Sequence, residues 1–254
     1  MGLMAVYILD VAVPIFWWIL LPTTVWVIYT ADHLLDAHKG AGTIVSQRHL
    51  FHKNHFRSLA PFCFATGLSI CFISLLYFPI YLLMAGILLG IICIAYLLYS
   101  RFVQIYTLPK EIIIAILYTA GIWYAPLMLS KFAIIQLIPI VLTFLTALNN
   151  IVLFSVLGKS EDLKSGFGSI AIVMDEGLIT KLLKIDIIGT IIISVIMAYL
   201  FQSQTRICIV SIIFAVMNLT LCSIFMFRSL LIINDRYRII GEAIFILPFV
   251  LYFT

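Results

Sequence analysis

Residues 80–100 read IYLLMAGILLGIICIAYLLYS, an apolar run bounded by Pro79 and Arg101 with no charged side chain inside it. Crossing a hydrocarbon layer about 30 Å thick takes about 20 consecutive apolar residues in a helix. In that layer only helices and closed barrels satisfy every backbone N–H and C=O. Barrel strands alternate apolar and polar positions over about 10 residues, and this run does not alternate. It therefore reads as a transmembrane helix.

The rest of the chain repeats the pattern. Of 254 residues, 64% are hydrophobic and 10% are charged, and the mean hydropathy is +1.21. Soluble domains have about 45–50% apolar and about 25% charged residues, so this chain lacks the polar surface for a water-soluble fold. A secreted domain, a β-barrel and a nucleic-acid binder are excluded. Charge clusters and prolines divide the chain into about eight spans, near 5–31, 58–78, 80–100, 111–130, 133–157, 185–201, 207–227 and 239–253. The expected fold is all-α, a polytopic membrane helical bundle of about eight transmembrane helices, forming one domain over residues 1–254. Cys63, Cys71, Cys93, Cys208 and Cys222 fall in apolar runs without CxxC spacing and read as small hydrophobes. Residues 1–9 have no basic region and no cleavage site follows, so the first span is expected to be retained. Gly86 and Gly90 have the spacing of a helix-contact pair.

Thirteen of the fifteen basic residues fall on one side of such an eight-span map, leaving only Lys131 and Arg206 on the other. The asymmetry places the long connections, 32–57 and 158–184, in the cytoplasm and both termini outside. In a bacterium this would be the cell inner membrane. Nine of the eleven acids gather on the same side, which topology does not require.

Asp32 and Asp36 lie in Tyr29-Thr-Ala-Asp32-His33-Leu-Leu-Asp36. If the helix continues, their carboxylates share a face about 6 Å apart. Like charges so placed are favourable together when a cation sits between them, and Mg²⁺ takes one or two carboxylates and completes its shell with water and phosphate oxygens. A solvated helix end is the competing reading. The second acidic element runs Gly158-Lys-Ser-Glu161-Asp162-Leu-Lys164-Ser-Gly166-Phe-Gly168-Ser169, after Asn149-Asn150. Two acidic helix ends on one membrane face can hold a metal between them while nearby cations neutralise a polyphosphate. Arg101 and Lys110, flanking the third connection, are the candidates for that neutralisation.

These residues resemble the UbiA superfamily of intramembrane prenyltransferases, in a divergent branch with reduced Asp-rich motifs. Asp32 and Asp36 match the last two acids of N-D-x-x-D-x-x-x-D, and Asp162, Gly166 and Ser169 match D-x-x-x-D-x-x-x-G-x-x-[ST] in register. Tyr99-Ser-Arg101 resembles the family's basic stretch more loosely. Ile28 and Tyr29 stand where the first motif opens with Asn and Asp, and Gly158 stands where the second opens with Asp. The family's first helix is expected to be missing.

The resemblance implies a prenyltransferase that uses an Mg²⁺-bound isoprenyl diphosphate to alkylate a hydrophobic, usually aromatic, acceptor. Asp32, Asp36 and Asp162, with Glu161, would bind Mg²⁺. Arg101, Lys110, Lys164 and Arg48 would stabilise the leaving diphosphate, so that Asp36, Asp162, Arg101 and Lys110 carry the catalysis. Asn149 and Asn150, below Asp162 on the same helix, and Ser169 would line the substrate site. A membrane terpene cyclase and a non-catalytic lipid-binding or transport bundle are the alternatives.

All five histidines, His33, His38, His49, His52 and His55, lie within 23 residues. A di-iron centre of the membrane desaturase type needs about eight, in several clusters, so these read as interfacial polar groups or diphosphate contacts. Asp10 and Glu242 fall inside expected spans near a boundary, where an ionisable side chain snorkels or carries function.

Overall fold

The structure is a computed structural model and describes residues 1–39, 47–102, 110–131, 133–165 and 168–253. Among the described residues it is all-helical. The elements are α1 (Gly2–Leu9), α2 (Trp17–Lys39), α3 (Gln47–Asn54), α4 (Phe56–Tyr77), α5 (Ile80–Phe102), α6 (Lys110–Leu129), α7 (Leu137–Ser165), α8 (Ile170–Val173), α9 (Glu176–Leu200), α10 (Thr205–Met226), α11 (Arg228–Leu231) and α12 (Arg236–Ala243). Short 3₁₀ segments precede α7 and α12, and a longer one, Ile244–Phe253, follows α12.

Six helices, α4 to α7, α9 and α10, are long and apolar enough to cross a membrane. The eight-span map therefore changes at both ends. Its first span breaks after α1, where Asp10 takes a left-handed conformation (φ 52°). Pro14 stands in the following non-helical stretch, and a proline disfavours helix at the residue before it. α2 is long enough to span, but Trp, Thr, Pro22 and Asp32 dilute its apolar character. The eighth span is the eight-residue α12 followed by ten residues of 3₁₀ helix, with Pro248 inside the latter.

The long connections are largely helical as well. Lys159-Ser-Glu-Asp-Leu-Lys164 lets α7 continue to Ser165, and α9 begins at Glu176 instead of near 185. Asp175 caps it, its carboxylate accepting from the Leu178 N–H at 2.9 Å. Glu161, Asp162 and Lys164 therefore lie on a helix end and not in a loop.

The centre of the bundle is α7, α9 and α10, packed through Leu153, Leu183, Ile187, Phe214, Met217 and Leu221. About half the apolar windows of α7 and α10 are buried (56% and 50%), against 6% for α4. α6 joins this centre to an outer group in which α2 packs on α4 and α5. The join is a cluster of Trp17, Leu82 and Ala125 from α2, α5 and α6. Gly86 faces Tyr124 of α6, whereas Gly90 meets no neighbouring atom, so only the first glycine of the pair has a packing role. The Asp10 carboxylate pairs with Arg206 at 2.8 Å. Asp10 follows α1 and Glu242 lies in α12, so neither acid is in one of the six helices long and apolar enough to span.

Candidate functional site

The packing fixes which helix ends meet. Trp17, Leu82 and Ala125 join the first turns of α2 and α5 to the end of α6. The other ends, carrying Asp32 and Asp36 on α2, Arg101 on α5 and Lys110 on α6, therefore lie together at the opposite end of the bundle. Glu111 then ties the start of α6 to the last third of α7: the Ser155 hydroxyl donates to its Oε1 at 2.9 Å. Lys159 of α7 reaches Glu176 of α9 at 3.0 Å. One end thus carries Asp32, Lys110, Glu161, Asp162, Lys164 and Ser169, and Arg48 on α3 is there through the packing of α3 on α2. The side chains of Asp36, Arg48 and Arg101 lie outside the described residues, as does Gly166. The two motif helices belong to different packing groups, since α2 rests on α4 and α5 while α7 rests on α6, α9 and α10.

Glu111 is the residue that sequence reading passed over. It is 1% exposed, and a buried carboxyl is costly unless hydrogen-bonded. Besides Ser155, the backbone N–H of Ile170 donates to its Oε1 at 2.8 Å. One oxygen therefore joins α6, α7 and the segment that follows the second motif. Among the described residues, Oε2 has no hydrogen-bond partner, and neither does the Oγ of Ser169, which is also buried. The signal in the sequence was an acid directly after Lys110 at the start of an apolar helix, which alone reads as a favourable first-turn charge.

A second group lies one turn before Asp162. Gly158 is buried against α12: a Cβ placed there would lie 2.8 Å from Nη2 of Arg238 and 3.6 Å from the Tyr237 hydroxyl. The Arg238 guanidinium stacks over Phe154 and Tyr237, at 5.5 and 5.1 Å from the ring centroids. Burial pushes the Tyr237 hydroxyl above its usual pKa, while the Arg238 charge acts in the opposite direction and the Asp235 and Glu161 charges add to the rise. Arg238 has no ion pair within 4 Å among the described residues. Its guanidinium occupies the space that an acidic side chain at position 158 would need.

This bears on Mg²⁺. The guanidinium of Arg238 lies against position 158, where the resemblance leads to the expectation of an acid. Among the described residues, no group of three or more His, Cys, Asp or Glu side chains forms a metal cluster. The described side chains around Asp162 therefore do not fit a full carboxylate-bridged metal cluster. They fit an anion.

The two asparagines separate. Asn149 is built into the core, its Nδ2 donating to Asn218 Oδ1 at 3.2 Å and to Thr190 Oγ1 at 3.4 Å. Asn218 in turn donates to Thr146 Oγ1 at 2.9 Å. Asn149 thus serves helix packing. Asn150 faces α12, where a Cβ at Gly241 would meet its Oδ1 at 2.7 Å, and that oxygen is buried without a partner. Of the histidines, His33 and His52 meet across the α2–α3 connection, with ring centroids 5.0 Å apart, and His33 stacks on Tyr29 at 4.1 Å. His55 stacks instead on Phe51. Comparison with protein-family models, curated proteins and solved structures finds no match to this chain.

Proposed function

We propose that the chain is a membrane prenyltransferase of the UbiA type, transferring an isoprenyl group from its diphosphate to a lipid-soluble, aromatic acceptor. The observation that carries this reading is the meeting of α6, α7 and the Ile170 segment at the buried Glu111, which brings the stretches bearing Lys110, Asp162 and Ser169 to one end of the bundle. These residues come from two separate parts of the sequence, and two of them match one family motif. The basic asymmetry of the sequence supports a cytoplasmic setting for that end, where charged diphosphate heads can stay while the tails enter the bilayer.

On this reading the diphosphate rests at the Asp162 end and the tail runs between α6, α7 and the 3₁₀ segment Ile244–Phe253. Phe154 and Tyr237 meet there at 5.7 Å, and Tyr118 and Phe245 at 5.4 Å. Lys110 and Lys164, with Arg101 and Arg48, neutralise charge on the departing diphosphate as the C–O bond breaks. The electron pair leaves with the oxygen, and the allylic cation lies among ring faces that attract it. A carbon of the acceptor ring forms the new bond and then loses a proton. Of the Mg²⁺ ligands implied by the resemblance, Asp32, Asp36, Asp162 and Glu161 remain at this end.

The test is mass spectrometry of lipids from cells expressing the chain, compared with Asp162→Asn. A prenylated acceptor that appears with the parent chain and is lost in the variant supports the reading. A cyclised hydrocarbon would assign a terpene cyclase instead, and no change in the lipids would refute both.

A further inference from the structure

We infer that Arg238 binds the anionic head of the substrate, taking through its guanidinium the place that a metal-bridging acid at position 158 would otherwise fill. The inference rests on the prenyltransferase reading for the identity of the anion, but its geometry stands independently. Three features of Arg238 make it an anion-binding group. It is held in place by Phe154 and Tyr237, so little side-chain freedom remains to be lost on binding. It forms no ion pair within 4 Å among the described residues. It also lies against Gly158, one helical turn from Asp162.

Gly158 is what makes this possible. Any side chain there would start 2.8 Å from the guanidinium and displace it. An acid at 158 and an arginine at 238 would pair with each other, leaving neither for substrate. With glycine, the guanidinium donors that Tyr237 does not engage remain open to phosphate oxygens. Part of the diphosphate charge is then met by a fixed protein cation, and head-group binding has a component that does not need a divalent metal. The small residue that looks like a lost ligand is instead the space for a replacement of opposite sign.

The experiment uses the full chain in lipid nanodiscs and two probes, inorganic diphosphate and a non-hydrolysable farnesyl thiodiphosphate, titrated with Mg²⁺ and with EDTA. We expect both probes to bind in EDTA. Arg238→Ala should weaken them about tenfold to a hundredfold, as loss of charge-assisted hydrogen bonds implies, and Arg238→Lys should weaken them less. Gly158→Asp should reproduce the loss, because its carboxylate captures the guanidinium. Thermal melting reports folding, and should Gly158→Asp not fold, Arg238→Gln replaces it as the second variant. Unchanged affinity in a folded Arg238→Ala protein overturns the inference and leaves the prenyltransferase reading in place. Arg238-dependent binding of diphosphate without binding of the farnesyl probe supports the anion site and overturns that reading. Absence of binding by either probe overturns the inference.

Discussion

Replacing Glu111 by alanine should release the segment that follows the second motif. The carboxyl accepts from Ser155 Oγ and Ile170 N through one oxygen, and its side chain is 1% exposed. Truncation leaves both donors without a partner. Each orphaned buried donor costs about 1–3 kcal/mol. Interhelical hydrogen bonds in membranes average only about 0.6 kcal/mol by double-mutant cycles, and the variant no longer has to bury a carboxyl. A local loss of about 2–3 kcal/mol is the reasonable expectation. That corresponds to about thirtyfold to a hundredfold faster amide exchange at Ile170, by the rule that 1.4 kcal/mol is tenfold. Hydrogen–deuterium exchange of the protein in nanodiscs, followed by fragment mass spectrometry over residues 168–174, reads this directly. Glu111→Gln keeps an acceptor oxygen and should lose only a fraction of the protection. Unchanged exchange in Glu111→Ala would refute the claim that this carboxyl anchors the segment.

Asn218→Leu should destabilise the bundle in detergent unfolding by about 1–2 kcal/mol, since it deprives Asn149 of one of its two acceptors and Thr146 of its donor inside the hydrocarbon. Replacing Asn149 and Asn218 together by leucine should recover part of that loss. Gly241→Ala should cost about 1–3 kcal/mol of thermal stability, because the new Cβ would lie 2.6 Å from Phe154 and 2.7 Å from Asn150 Oδ1; an unchanged melting temperature would show that α12 shifts freely. In prenyl-transfer assays, Asp36→Asn and Asp162→Asn should each reduce turnover about a hundredfold or more, whereas His52→Ala should matter far less. The opposite ranking would transfer the site to the histidines of α2 and α3.

The membrane character and helical class could be read from the sequence because they depend on runs of apolar residues, as in 80–100. The ends could not. Residues 5–31 hold enough apolar side chains for one span, and only the left-handed turn at Asp10 shows that they are two helices. Glycine at 158 and charge from 159 to 164 looked like the end of a helix, yet α7 continues through both. The motif residues could be named because spacing along one segment is a local property. Glu111 and Arg238 could not, since their roles arise from partners 44 and 80 positions away in the chain. Asn149 shows the converse, for an amide near a motif was read as a ligand when the neighbouring helices had already engaged it.

The Asn149–Asn218 contact has a further consequence, which concerns how α10 is orientated about its own axis. Its buried side chains include Val210, Ile213, Phe214 and Leu221, while Ile212, Val216, Leu219 and Met226 face outward. Both faces are oily, and lipid tails solvate either one equally well, so apolar character cannot select a rotation. The amide of Asn218 can. Rotating the helix turns that amide into hydrocarbon, and sliding it by one turn, about 5.4 Å, sets Phe214 or Cys222 against Asn149. Either error strands two amides. Asn218 therefore works as an index mark on an otherwise unmarked cylinder, allowing only one seating of α10 against α7 and α9. Variants that alter shape alone should leave this alignment intact, and those that erase the mark should give a bundle that is compact but rotationally heterogeneous.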